Sequence, residues 1–221
     1  MNSASIEIKK MWSIFAIGPT NPISLRAIWP KRGEVKRPPV NENFTAADFP
    51  DIDDRRAAFE AEALQLNAQG YNVYIVMNPI KPDFTVGAVC DKDIEYRDLL
   101  LIDLDRAGPT DCPATDAEIA AATQLADEIT AHLQGQGWSA PLRMMSGNGV
   151  HLYVPLDLPN DATSRDQVRA LLGKLAEKFD TTAVKVDTSV HNASRITKVP
   201  GTIARKGEES EGRPWRMARV F

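Results

Sequence analysis

Leu99-Leu100-Leu101-Ile102-Asp103-Leu104-Asp105 is the stretch whose reading decides the fold. A run this apolar reads as a buried strand. Residues two apart on a strand point to the same face, so Asp103 and Asp105 project together while Leu104 points away. Two desolvated carboxylates side by side repel and need compensation. A hard divalent cation supplies it, since Mg²⁺ and Mn²⁺ take oxygen ligands, commonly one or two carboxylates completed by substrate phosphates. The pair therefore points to metal-assisted phosphoryl chemistry. Taken alone it also fits a solvated strand end followed by a turn.

The surrounding chain is that of an ordinary water-soluble domain. Apolar residues make up 43% and charged residues 25%, the balance of a globular protein, so a packed core is expected rather than a disordered chain. No run of about 18 apolar residues is present, so no membrane span is expected, and residues 1–10 lack the order of a signal peptide. Cys90 and Cys112 are too few for a disulfide framework or a zinc site, and a cytoplasmic protein is the expectation. The net charge of −4 argues against a protein that coats nucleic acid by bulk electrostatics. Local basic clusters remain: Lys31, Arg32, Lys36 and Arg37, and a denser C-terminal group from Arg195 through Arg219.

Outward from the aspartates, the pattern predicts a first strand over residues 11–17, an exposed Pro-rich loop over 30–43, and a helix over 53–69 closed by Gly70. Strands are expected over 71–77 and, briefly, 84–89. Thr115-Asp116-Ala117-Glu118 is a capping box that opens a second helix closed by Gly135 and Gly137. Strands over 141–145 and 150–154 flank Ser146-Gly147-Asn148-Gly149, a hairpin signal. A third helix, with a polar cap and an acidic first turn, is expected over 163–179. Short strands follow around 184–187, 198–203 and 215–220. Helices packed on hairpin-rich sheets make this α+β rather than a doubly wound parallel fold. A single catalytic domain over 1–221 is expected, with 71–221 carrying the motifs.

Three elements carry chemistry. Asp103 and Asp105 are the first. Ser146-Gly147-Asn148-Gly149-Val150-His151 is the second: two glycines free backbone amides to approach an anion, and the imidazole leaves the turn beside them, making a triphosphate cradle. A plain hairpin with a structural histidine is the simpler alternative. Val186-Asp187 is the third, a further carboxylate at the end of a β-branched stretch. It could complete a site for two cations or could form an Asx turn ahead of Thr188 and Ser189. Arg195 and Lys198 suit phosphate oxygens, as planar fork and point charge. Arg205 and Lys206 read as template or primer contacts or as plain surface charge.

In this order the elements resemble the archaeo-eukaryotic primase superfamily, whose catalytic domains carry an hhhDhD motif, an SxH-type motif and an hD motif. The likeness is to the primase-polymerases of phages and plasmids, and residues 71–202 carry it. The resemblance implies a core of RRM-like type with mixed or antiparallel sheets flanked by helices. It implies Asp103, Asp105 and Asp187 as holders of two Mg²⁺ or Mn²⁺ ions, with Asp187 positioning the attacking 3′-oxygen. Ser146, Gly147, Asn148, Gly149 and His151 would bind the triphosphate of an incoming dNTP or NTP, with Arg195 and Lys198 as further phosphate contacts. The implied partners are a single-stranded DNA template and primer, and a helicase or helical primase-associated domain outside this stretch. The zinc stem of some relatives needs more cysteines than Cys90 and Cys112, so no zinc is expected here. A metal-dependent nuclease using the same carboxylates, and a non-catalytic replication-initiation module, are the competing readings.

Overall fold

Eleven residues of extended chain, β4 (Tyr96–Arg106), carry the aspartates through the centre of the molecule. The computed structural model describes residues 3–15, 17–31, 34–109 and 111–221. β4 lies between β6 (Gly149–Pro159) and the short β7 (Val184–Val186), in a five-stranded sheet ordered β11-β5-β6-β4-β7, with β5 (Leu142–Met145) and β11 (Arg219–Val220) at the far edge. Every pairing in it is antiparallel. Ile102 and Leu104 are fully buried on the face opposite the aspartates. Helix α3 (Asp116–Gly135) packs across β4, β6 and β7, and α4 (Ala162–Phe179) against β7 and α3. Thr115 caps α3 through the reciprocal Thr115–Glu118 bonds that the sequence predicts.

A second sheet holds the other wall. β1 (Ile23–Ile28), β2 (Val40–Phe44), β3 (Asn72–Val76) and β8 (Ile196–Lys198) run in the order β2-β1-β3-β8, again antiparallel. Helix α2 (Ile52–Ala68), capped by Asp51, covers one face, where Ile23, Leu25, Ala27, Val73 and Ile75 meet Phe59 and Ala63 in the core. The alternate residues, among them Arg26, Tyr74 and Lys198, occupy the other face. A small ribbon of β9 (Ile203–Ala204) and β10 (Arg216–Met217) completes the architecture. The class is α+β. One hydrophobic cluster runs from Ile8 to Val199 through both sheets.

Several local expectations are corrected. Residues 11–17 form no strand: α1 (Ser3–Met11) ends there and a turn follows, with Ala16 outside the described residues. The apolar residues were legible, but their partners decide the conformation. Ile8 and Met11 face the core, and Glu7 Oε2 accepts the Val220 amide at 2.7 Å. Residues 84–89 are irregular, with only an isolated Ile80–Ile94 bridge nearby. The loop from residue 30 ends earlier than expected, where β2 begins at Val40, and Arg32 of the first basic cluster lies outside the described residues. The first turn of α4 holds no acid, because its aspartate, Asp161, is the cap itself. The strands expected over 198–203 and 215–220 are each divided. Pro200 and Gly201 turn the chain between β8 and β9, and β10 and β11 join different sheets.

Candidate active site

The antiparallel register of β4 and β6 pairs Asp103 with His151 and Asp105 with Gly149, so the first two motifs meet across one rung of the ladder. Directly opposed residues share a face. His151 Nε2 lies 3.3 Å from Asp103 Oδ1, an oxygen sealed from solvent that has no well-aligned hydrogen-bond partner among the described residues. The other ring nitrogen is held. His151 Nδ1 is 3.0 Å from Thr197 Oγ1 and 3.2 Å from the Tyr153 hydroxyl, and those two hydroxyls are 2.6 Å apart. All three side chains are buried.

The two sheets enclose a cavity of about 380 Å³. Asp103 and Asp105 line it from β4, and Ser146, Asn148 and His151 from the hairpin. Arg195, Lys198, Arg205 and Lys206 line it from the C-terminal segment, so both residues expected to reach template or primer sit beside those expected to reach phosphate. Asn72 and Tyr74 form the remaining polar wall.

The charges are unequal in effect. Burial works to raise the Asp103 carboxyl pKa, but His151, then Arg195 and Lys206, outweigh it and hold the group below its ordinary value. Asp105 moves the other way: burial raises it, the Asp103 charge adds to the rise, and Asp187 contributes while Lys206 and His151 oppose. Burial, Asp103 and Asp105 push the Tyr74 phenol up to about 12. Lys198 is held well below the usual lysine range by burial, with Arg205 adding repulsion. Its ammonium nitrogen donates to Ile203 O at 3.2 Å and lies 5.6 Å from the Tyr74 ring centroid.

The glycine turn differs from the cradle that the sequence suggests. Gly149 N donates to Ser146 Oγ at 3.2 Å, and Gly147 N points to Met145 Sδ at 2.9 Å, so neither amide is left free for an anion. The glycines answer to crowding instead. A Cβ on Gly147, whose φ is +101°, would stand 2.4 Å from Ala204 Cβ, and one on Gly149 would stand 2.3 Å from Leu104 O. Asn148 Oδ1 accepts the Ala114 amide at 3.0 Å and ties the turn to the start of α3.

Asp187 arrives next to Asp103 through its backbone: its amide donates to Asp103 O at 2.9 Å. Its Oδ1 accepts the Ser189 amide at 2.8 Å, which is the Asx turn, and its side chain is not part of the cavity wall. Among the described residues, no group of three or more His, Cys, Asp or Glu side chains is arranged to hold a metal ion.

Sequence reasoning did not single out Tyr74, Thr197 or Tyr153. Tyr74 alternates with core residues on β3, and that alternation was the available signal. Thr197 and Tyr153 are 46 and 2 residues from His151 in the chain, and their convergence depends on β8 meeting β6 in space.

No family model matches the chain, and no curated protein matches it. Solved structures do. The primase-polymerase domain of cyanophage S-2L superposes with a TM-score of 0.58 at 18% identity, over 98% of this chain and 89% of that one. The primase RepB′ superposes with a TM-score of 0.55 at 13% identity, over 99% of this chain and 56% of that one. The fold is that of an archaeo-eukaryotic primase-polymerase domain. The polymerase domain of Mycobacterium tuberculosis ligase D, in complex with DNA, also matches, over 91% of this chain and 76% of that one, with 18% identity and a TM-score of 0.48.

Within this primase-polymerase fold, the donor set suits a hard cation. The buried Asp103 oxygen lacks a well-aligned partner, Asp105 faces the same cavity, and both are oxygen ligands. Two carboxylates leave coordination positions for phosphate oxygens, which the basic wall would bring in. No helix among the described residues is long and apolar enough to cross a membrane.

Proposed function

We propose that the chain is the catalytic core of a DNA primase-polymerase, joining nucleotides from dNTPs or NTPs in template-directed order, as phage and plasmid replication requires. The observation that carries this reading is the opposition, within one cavity, of the Asp103–Asp105 pair to the cationic wall of Arg195, Lys198, Arg205 and Lys206. A nuclease needs the carboxylates but has little use for so large a cationic wall, which suits a triphosphate.

In the proposed reaction the primer 3′-oxygen forms a bond to the α-phosphorus of the incoming nucleotide, the bond to the β-phosphate oxygen breaks, and pyrophosphate leaves. Arg195 and Lys198 would bind phosphate oxygens, and His151, whose Nε2 lies beside Asp103 at the cavity wall, would contact a further one. Asp103 and Asp105 would hold one or two divalent cations, Mg²⁺ or Mn²⁺, and when bound these lower the pKa of the attacking hydroxyl and neutralise the leaving phosphates. Asp187, anchored to the Asp103 carbonyl, would position the 3′-oxygen. Arg205 and Lys206 would meet triphosphate or the adjacent strand. Most of the protein's contribution is positioning and electrostatic stabilisation. A helicase or helical primase-associated domain would be a partner of such a core.

The test is primer extension on a short DNA template with dNTPs and Mg²⁺ or Mn²⁺, comparing wild type with Asp103→Ala. Metal-dependent templated extension that the variant loses supports the reading, and repeating it without primer tests primer synthesis. A folded wild type that neither extends a primer nor binds dATP overturns it in favour of a non-catalytic DNA-binding module.

A further inference from the structure

A second pocket of about 190 Å³ opens beside the catalytic cavity and shares two of its lining residues, Arg195 and Ile196. Its floor is the same open sheet face. Across the four strands, the register places Asn41 opposite Arg26, Arg26 opposite Tyr74, and Tyr74 opposite Lys198, so one continuous row of side chains runs from the catalytic cavity into this pocket. Arg26 therefore stands one strand from Tyr74 and two from Lys198, about 10 Å across the sheet at the usual strand spacing.

The chemistry of the pocket is one-sided. Two guanidinium groups, Arg26 and Arg195, line it with the neutral donors Ser24, Asn41, Asn192 and Ser194, and among the described residues no carboxylate lines it. Arg26 Nε and Arg195 Nε are both buried without a hydrogen-bond partner among the described residues, and Arg195 Nη2 donates to Ser189 Oγ at 3.4 Å. A guanidinium presents several N–H donors in a planar fork, and two of them lining one polar hollow suit an anion with several acceptor oxygens. The volume is below that of an ordinary small-molecule site, which starts near 300 Å³, so it fits one phosphate group of a longer molecule rather than a whole nucleotide.

We propose that the Arg26–Arg195 pocket is a subsite for a backbone phosphate of the DNA strand held at the catalytic cavity. This rests on the polymerase reading and adds where the strand passes: across the β1–β3 face, with Arg195 shared between the nucleotide and the strand. Arg26 is separated from Asp103 and Asp105 by Tyr74, so it serves the strand and not the triphosphate.

The experiment measures binding of a fluorescent single-stranded oligonucleotide to the full chain across a salt series without nucleotide, and binding of dATP separately, for wild type, Arg26→Gln and Arg26→Lys. One lost phosphate contact on a single strand lowers the slope of log K against log salt by about 0.7. The expected result is that decrease in Arg26→Gln, a several-fold weaker oligonucleotide affinity, the slope retained in Arg26→Lys, and dATP affinity unchanged in both. An unchanged oligonucleotide slope in folded Arg26→Gln overturns the inference alone. So does a loss of dATP affinity with oligonucleotide binding intact, because the phosphate would then belong to the nucleotide. A wild type that binds neither ligand overturns the polymerase reading as well.

Discussion

Thr197 Oγ1 sits 3.0 Å from His151 Nδ1, joining the edge strand of one sheet to the motif histidine of the other. The Tyr153 hydroxyl, 2.6 Å from Thr197 Oγ1, completes a buried chain that runs from Tyr153 to Thr197 to His151. When Tyr153 donates to Thr197 and Thr197 donates to Nδ1, the imidazole proton lies on Nε2, which faces Asp103 and the cavity. The hydrogen bond made by one ring nitrogen thus fixes what the other can do. Thr197→Val is expected to raise the KM for dNTP by roughly five-fold, the worth of about one hydrogen bond of 1 kcal/mol, with a smaller change in kcat. Thr197→Ser restores the wild-type value. In a His151→Ala background the Thr197→Val change adds nothing, whereas a merely structural threonine would cost the same in either background.

Gly149 and Gly173 give opposite expectations for the same substitution. A Cβ at Gly149 would meet Leu104 O at 2.3 Å and Asp105 Oδ1 at 3.2 Å, forcing β6 away from β4 at the aspartates. Gly149→Ala is expected to destabilise the fold by about 1–3 kcal/mol and to depress primer extension further than the stability loss explains. Gly173 lies inside α4 with open space around its Cβ position. Gly173→Ala is expected to stabilise by about 0.5–1 kcal/mol and to leave extension unchanged. Denaturant titration of both variants checks the signs.

Arg55 is a structural hub that carries no sequence signature. Fully buried in α2, it donates to Phe49 O from Nε at 3.1 Å and Nη2 at 2.9 Å, to Asn21 O at 2.8 Å and to Pro19 O at 3.0 Å. Three backbone carbonyls from two loops depend on it. Arg55→Met keeps the volume and strands those carbonyls, so a loss on the order of 3–5 kcal/mol is expected from unsatisfied buried groups. Arg56→Met, one residue on, half-buried beside Asp53 and 5.3 Å from the Trp12 ring centroid, bonds no backbone carbonyl of those loops and is expected to cost much less, about 1 kcal/mol.

Arg55 and Asp103 show what a sequence discloses. The aspartates interrupt an apolar run with strand alternation, so burial, shared face and charge conflict all follow from neighbours in the chain. Arg55 sits in Asp53-Asp54-Arg55-Arg56, which has the composition of a solvated helix face, and its carbonyl partners have no residue identity to read. The same limit explains α1. The apolar residues of 11–17 are legible, but the helix that ends at Met11 comes from packing against β11 and from the Pro200–Gly201 turn, where a Cβ on Gly201 would lie 2.3 Å from Ala4 O. Ser146 and His151 share one hairpin, as the Asn148-Gly149 signal implies. The crowding around the glycines between them, Ala204 at Gly147 and Leu104 O at Gly149, is not legible, because sequence gives the freedom of a glycine and not the object that crowds it.

Lys198 links nucleotide binding to protons. Burial, with Arg205 behind it, holds its ammonium well below the usual lysine range in the free protein. In the unfolded chain the pKa is about 10.4, so between the lowered value and that one the unfolded state binds more protons. Stability therefore rises with pH across this window, and below it the full cost of burying the charged lysine is present. A triphosphate in the cavity reverses the imbalance by supplying negative charge, which draws the lysine back toward its protonated form. Binding of dATP is expected to take up protons, and its affinity is expected to fall as pH rises through the window. Calorimetric titration in two buffers of different ionisation enthalpy counts the protons directly. Lys198→Met should bind dATP more weakly and show a smaller proton uptake, and equal uptake in the two proteins would place the linkage on another group.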